Sequence, residues 1–400
     1  CMDSLRKHFT GVAAKYLSGV DATPKSHQHE IGSNRFTSIL GNPGAQKVYL
    51  DGTFLYLDDE QEEPLRASGV LTWYDTRINQ PDRSAEYRLY YRENPVTARM
   101  TEGDFCVIAR CLDGSLLLVM PPPGSTSEQQ IRWLFGIDRL PEKGFDVRQV
   151  AGQRMVSLAE AVILEELGIE TRLDDESWLD RIIAKFGPTF PATEDFSAWA
   201  RESCPDTLPA SKDPDTALMA WIRHEEMLFR TLERQIVEQQ LAAGFRDVDH
   251  FVQFSLSVQN RRKSRVGYAL EHHLKAVFEA CRLPYGWQVV TEHRSKVDFL
   301  FPGAKAYHDT QWPEAKLAML ASKSTCKDRW RQVLAEAKRI PHKHLLTLEP
   351  AISTHQTDEM AANNLRLVTP REIGQTYTPE QQDWLHDLGQ YVQLVRETIA

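Results

Sequence analysis

Cysteine is sparse, and none of it is spaced to hold a metal: Cys1, Cys106, Cys111, Cys204, Cys281 and Cys326 are scattered through 400 residues without a CxxC or Cys/His pattern. That excludes a zinc ribbon and a disulfide framework, and it leads us to expect reduced thiols and a cytoplasmic location. Long apolar runs are missing too, so no segment reaches the ~20 residues of a membrane-spanning helix. The N-terminus lacks a basic stretch followed by an apolar one, so neither a signal peptide nor an anchor is expected. There is no internal repeat and no low-complexity tract. Positive charge is in short supply overall, with a formal net charge of −9, which excludes a diffusely basic polyanion binder.

The average hides an asymmetry. Residues 251–345 hold 17 Lys and Arg against 8 Asp and Glu, so the rest of the chain is strongly acidic. A basic region inside an acidic protein points to a local polyanion site, although a charged solvated face reads the same way. The length suits two or three domains, each able to bury a core.

Within the basic region, residues 297–339 place an Asp, a Lys and a Glu in a suggestive order. Asp298 lies inside the apolar run Val297-Asp298-Phe299-Leu300-Phe301, which Pro302-Gly303 ends at once, as a buried strand would. A second apolar run leads to Lys323. Residues 327–338 then carry helix formers, with Trp330, Val333, Leu334 and Ala337 at the spacing of one helical face. Strand, strand and helix could bring Asp298, Lys323 and Glu336 to one place, where two carboxylates hold magnesium and a lysine steadies a nucleophile or a developing charge. The same three residues also fit an ordinary surface, and spacing alone does not choose.

Elsewhere, residues 3–20 have helical spacing in Leu5, Phe9, Val12, Ala13 and Tyr16. From residue 47 to 123 short apolar runs alternate with turns, the pattern of a mainly-β barrel or pseudobarrel. Residues 126–170 turn helical and close a first domain, 1–170. Residues 171–187 read as a linker. A second domain, 188–400, is expected to be α/β with a mixed central sheet, including helices over 216–243 and 248–258 and strands near LLTLEP and NLRLVTP. Its segment Asn260, Arg261, Arg262, Lys263 and Arg265 reads as a basic arm suited to phosphate contact, followed by a helix that carries Glu271. His272 and His273 are adjacent and face different ways, so no zinc pair is expected there.

Several long segments resemble the EcoRII-type restriction endonucleases: SVQNRRKSR, YALEHHL, DFLFP, AYHDT and KSTCKDRWRQ, in that order and over residues 188–376. HEIG, WYDTR and DRSAEYR extend the likeness into the first domain, which resembles the effector-binding pseudobarrel of that family, similar to the plant B-three fold. The resemblance implies a PD-(D/E)XK nuclease with a restriction-endonuclease-like catalytic domain. Asp298, Lys323 and Glu336 match its catalytic positions, with Asp298 and Glu336 as the Mg2+ ligands. Ala321 stands where the ordinary motif has its second acid, and Val297 where it has proline. Glu271 and Tyr307 match further active-site residues.

By the same resemblance, Lys327-Asp328-Arg329 reads bases, and the donors and acceptor suit adjacent G·C pairs in a major groove. Arg223 would line a pocket for a flipped base. His29, Arg77, Arg83, Glu86, Tyr87 and Arg88 lie on the segments that match the effector-binding arms, with Tyr87 in place of a lysine. The implied activity is Mg-dependent cleavage of double-stranded DNA at CCWGG-like sites before the first C, by a homodimer, alongside a cognate DNA methyltransferase as a functional partner. The alternatives are a DNA-binding regulator that does not cut and a modification-dependent nuclease.

Overall fold

The computed structural model describes residues 5–22, 29–61, 63–80, 82–141, 144–150, 157–205 and 208–400, without the side chains of Val20, His293 and Asp328. The chain forms two compact units, one running to Thr171 and including Ala351–His355, the other Arg172–Pro350 with Gln356–Ala400.

The first unit is built on one sheet. Its strands are β1 (Phe9–Tyr16), β2 (Glu30–Gly32), β3 (Val48–Tyr56), β4 (Leu65–Asp75), β5 (Tyr87–Tyr90), β6 (Phe105–Cys111), β7 (Leu116–Met120) and β8 (Asp146–Gln149). They run in the open order β2-β5-β4-β3-β7-β6-β1-β8. Pairing is antiparallel except between β3 and β7. Side-chain alternation sends Ile108 and Leu118 to one face, with Phe36, Phe54 and Trp73. Val107, Leu117 and Val119 go to the other, with Phe9, Ile131 and Leu164. Apolar cover on both faces is why β7 is a continuous hydrophobic run.

Two expectations change in this unit. Residues 9–16 are a strand, not a helix. β1 pairs with β6 on one side and β8 on the other, and burial of Phe9, Val12, Ala13 and Ala14 on both faces outweighs the helical spacing. Between the helices Thr126–Phe135 and Leu158–Glu166 runs β8, so the region is not helical throughout. The second of these helices starts at a reciprocal capping box formed by Ser157 and Glu160.

The second unit has a five-stranded sheet of β9 (Gly286–Val290), β10 (Lys296–Phe301), β11 (Ala318–Lys323), β12 (Lys343–Thr347) and β13 (Leu365–Val368), in the order β13-β12-β11-β10-β9. β10 runs antiparallel to its neighbours β9 and β11, whereas β11, β12 and β13 are parallel. The expected mixed α/β architecture is therefore present. The expected linker 171–187 instead contains the helix Leu179–Phe186, whose Ile182 packs with Phe196, Leu228 and Phe229 inside this unit.

Two long helices stand beside the sheet. Pro214–Ala243 starts with the Asp213 cap and Pro214 in the first turn, where a missing N–H costs nothing. Val248–Ala280 is one uninterrupted helix of 33 residues. The basic segment is therefore part of a helix and not an extended arm, because SVQNRRKSR contains neither glycine nor proline to stop it.

Candidate active site and nucleic-acid interface

Asp298 sits mid-strand on β10, and only 8% of it is exposed. Its Oδ2 accepts hydrogen bonds from Ser322 N (2.7 Å) and Ser322 Oγ (3.3 Å), so the neighbouring strand that carries Lys323 also holds the carboxylate. On the other side, Gln288 Nε2 donates to Asp298 Oδ1 at 3.1 Å and to Glu271 Oε2 at 2.7 Å. Trp287 Nε1 donates to the same Glu271 oxygen at 2.9 Å. Flanking pairs Val297↔Val289 and Phe299↔Trp287 leave Gln288 opposite Asp298, with its backbone at φ 51°. One amide thus ties Glu271, on the long helix, to Asp298 on the sheet. Burial, then the Asp298 charge, pushes the Glu271 carboxyl above its usual range, although Trp287, Gln288 and Lys323 pull the other way.

Glu336 joins this group, but not from within a helix. Residues Lys327–Ala335 form a 3-10 segment anchored by the buried Trp330 and Val333, and Glu336 is the extended residue that ends it. Its side chain is 9% exposed, and Oε2 is buried without a hydrogen-bond donor. Burial, then the Asp298 charge, lifts the carboxyl from 4.5 to about 7, while Lys323 and Lys343 oppose the rise. An orphaned buried carboxylate oxygen coupled to a second acid is a poor arrangement for the protein alone and a good one for a hard cation. Among the described residues no group of three His, Cys, Asp or Glu side chains is placed to hold a metal. Two carboxylates suffice for magnesium when substrate phosphate and water complete the shell.

The raised carboxyl has a measurable consequence for stability. The unfolded chain loses the Glu336 proton near 4.5, whereas the folded chain keeps it to about 7, so stability falls as pH rises through that window. Above it the full cost stands. Glu336→Gln should therefore stabilise the metal-free protein at pH 8, by roughly 1–3 kcal/mol, and scarcely at pH 5. Mg2+ should raise the melting temperature of the parent at pH 8 and leave that of the variant unchanged. Equal melting curves for the two proteins at both pH values would refute the placement of this carboxyl.

Tyr307 lies nearby in a different set of bonds. Its hydroxyl donates to Glu292 Oε1 at 2.6 Å, and Arg339 donates to its carbonyl and to Trp312 O (2.7 Å). Burial, then the Glu292 bond, raises the phenol. Tyr307 is thus bonded to Glu292 and to the loop after Glu336, and none of its described hydrogen bonds reaches Asp298. Lys343, absent from the sequence reading, is buried beneath the same loop, with Nζ donating to Ala337 O (3.2 Å) and Ile340 O (2.9 Å). Burial lowers its pKa, and Glu336 and Glu292 hold it up. Gln288 and Ser322 were also missed, and no motif marks them.

Of the triplet expected to read bases, Arg329 is exposed and bonds back to Thr325, and Lys327 is half-buried. The Asp328 side chain lies outside the described residues. Asn260, Arg261 and Lys263 are exposed on the long helix, with Arg261 stacked over Phe190. Arg262 and Arg265 turn inward. Arg262 clasps Glu233 at 2.8 and 2.9 Å, and Arg265, 7% exposed, bridges Glu225 (3.2 Å) and Glu226. Burial works against the Glu225 carboxylate, but the His273 bond and charge and the Arg265 charge hold its pKa low. Arg223 pairs with Glu372 on the surface.

In the first unit, part of the expected effector set shares one end of β5. Gly32 pairs with Arg88, which pairs in turn with Tyr74, so β2, β5 and β4 bring Arg77, Glu86 and Arg88 together, whereas His29 lies at the other end of β5, where its carbonyl accepts from Tyr91 N. Arg77 and Arg88 flank Glu86, each at 2.5 Å, and the Arg88 bond leads the causes that lower its carboxyl. Arg83 is exposed, while the Tyr87 ring packs on Trp73.

Known proteins resemble parts of this chain. The Type II restriction enzyme EcoRII of Escherichia coli is 43% identical over 183 residues, 46% of this chain and 45% of that enzyme. The match thus spans less than half of that relative. Metal-depleted Ecl18kI in complex with uncleaved, modified DNA aligns with a TM-score of 0.46 at 18% identity, over 56% of this chain and 85% of that one. The PspGI restriction endonuclease–substrate DNA complex aligns at 0.42 and 14% identity, over 54% of this chain and 96% of that one. The model of the EcoRII C-terminal family matches residues 229–392, a stretch that holds Glu271, Asp298, Lys323 and Glu336.

Proposed function

We propose that this chain is a Mg-dependent type II restriction endonuclease that cuts double-stranded DNA at CCWGG-like sites before the first C, as a homodimer. The observation that carries the reading is the orphaned Glu336 Oε2 beside Asp298 and Lys323, on the same segment as Lys327-Asp328-Arg329. Asp298 and Glu336 would hold the metal, which polarises the scissile phosphate and acidifies a water when bound. Ser322 and Gln288 fix Asp298 in place before any ligand arrives. Lys323 orients the nucleophile or stabilises the charge that develops on the phosphate. Arg329 and Lys327 donate to guanine O6 and N7, Asp328 accepts from cytosine N4, and Arg261 and Lys263 meet phosphates. The arginines at the β2–β5–β4 end of the first unit would grip a second copy of the site, which makes that unit an effector domain.

Plasmids with one and with several CCWGG sites test all of this together. The expected result is Mg-dependent cutting within the site, protection by methylation of the site, and faster cutting of the several-site plasmid. A mobility shift without cutting would replace this reading with that of a regulator. Cutting of methylated DNA alone would make the protein a modification-dependent nuclease.

A further inference from the structure

Glu349 lies two residues beyond β12, in the run LLTLEP, and is completely buried. Its Oε2 accepts hydrogen bonds from Cys326 N at 2.7 Å and Lys327 N at 3.2 Å, the backbone donors at the entrance to the 3-10 segment Lys327–Ala335. Such N–H groups have no partner inside the segment, and a carboxylate is their strongest acceptor. The carboxylate is itself anchored. Glu349 N donates to Thr347 Oγ1 at 3.1 Å, Thr347 Oγ1 donates to Ser324 O at 3.4 Å, and Tyr377 Oη donates to Glu349 O at 2.7 Å. Thr347 pairs with Lys323 across the parallel strands. Through Thr347 and Glu349 this chain ties the end of β11, where Lys323 sits, to the start of the base-reading turn.

That turn needs an outside hold. Lys327 has φ 28°, a conformation that a side chain disfavours, and Cys326 beneath it is wholly buried. We infer that Glu349 is a positioning residue that fixes Lys327-Asp328-Arg329 relative to Lys323, so that a side chain buried beneath the turn sets the coupling between reading a base pair and cutting beside it. The inference rests on the nuclease reading above.

The test compares kcat/KM of the full chain on a duplex with a CCWGG site and on one with a single base pair changed. For Glu349→Ala, the preference for the correct duplex should fall at least about tenfold, while Mg-free affinity for random duplex stays as in the parent. Glu349→Gln keeps an acceptor oxygen and should retain the preference to within about threefold. If the alanine variant does not fold by circular dichroism, Thr347→Val takes its place under the same criterion. An equal loss on both duplexes, or an unchanged preference, overturns the role of Glu349 and leaves the nuclease reading standing. A parent protein that cuts neither duplex overturns both.

Discussion

Lys323→Ala is expected to abolish cleavage, by at least about 1,000-fold in single-turnover rate, while the folded protein still binds its site. Lys323 ends β11, one residue after the serine that holds Asp298, and its charge is among those that favour ionised Glu271 and Glu336. Alanine removes a charge that both of these carboxyls feel, and nothing that packs the core. Glu336→Ala should be equally inactive, yet the two variants differ in metal response. Mg2+ should still raise the melting temperature of Lys323→Ala, which keeps both acids, and should do nothing for Glu336→Ala. Cleavage rates with a defined duplex, gel shifts without metal and melting curves measure these effects. Full activity in either variant would remove the residue from the catalytic set.

The second large effect concerns stability and divides the basic segment in two. Arg265→Ala should destabilise the protein by about 3 kcal/mol, because it strips a buried partner from Glu225 and Glu226. Helix Pro214–Ala243 contributes both acids, so the loss weakens the contact between the two long helices. His273 stays on Glu225 at 2.8 Å and Arg230 on Glu226 at 2.7 Å, which keeps the cost at the lower end of what a broken buried pair brings. Arg261→Ala removes an exposed cation, so urea unfolding should shift by less than about 0.5 kcal/mol while DNA affinity drops. Urea midpoints and salt-dependent binding separate the two roles. A stable Arg265→Ala protein with weakened DNA binding would return Arg265 to the interface.

These contrasts show which features were legible in the chain. An acid inside the apolar run VDFLF marks Asp298 as one that something must hold, but only weakly, and it was the family resemblance that singled it out. By the same rule Glu349 stands out in LLTLEP, and it was passed over because no motif named it. The mixed sheet followed from apolar runs broken by turns. Helix boundaries were less legible: FTGVAAKY has helical spacing, but strands on both sides capture it, and partners about 100 and 135 residues downstream in sequence leave no local mark. Four cations in five residues look like a solvated arm for a similar reason. Arg262 and Arg265, three residues apart, share a helical face, and only the fold shows that face meeting Glu225, Glu226 and Glu233. Glu336 was expected on a helix and its local structure differs, since tertiary packing of Trp330 and Val333, and not helix propensity, shapes that segment.

The unbroken helix Val248–Ala280 makes a ruler of what looked like an arm. Arg261 and Glu271 are ten residues apart on one rigid rod, a separation of about 15 Å along the axis. A phosphate that settles on Arg261 is then at a set distance from the acid that shares Gln288 with Asp298. Lengthening the rod by one residue between them would also turn one end about 100° against the other, so the spacing is fixed in angle as well as in length.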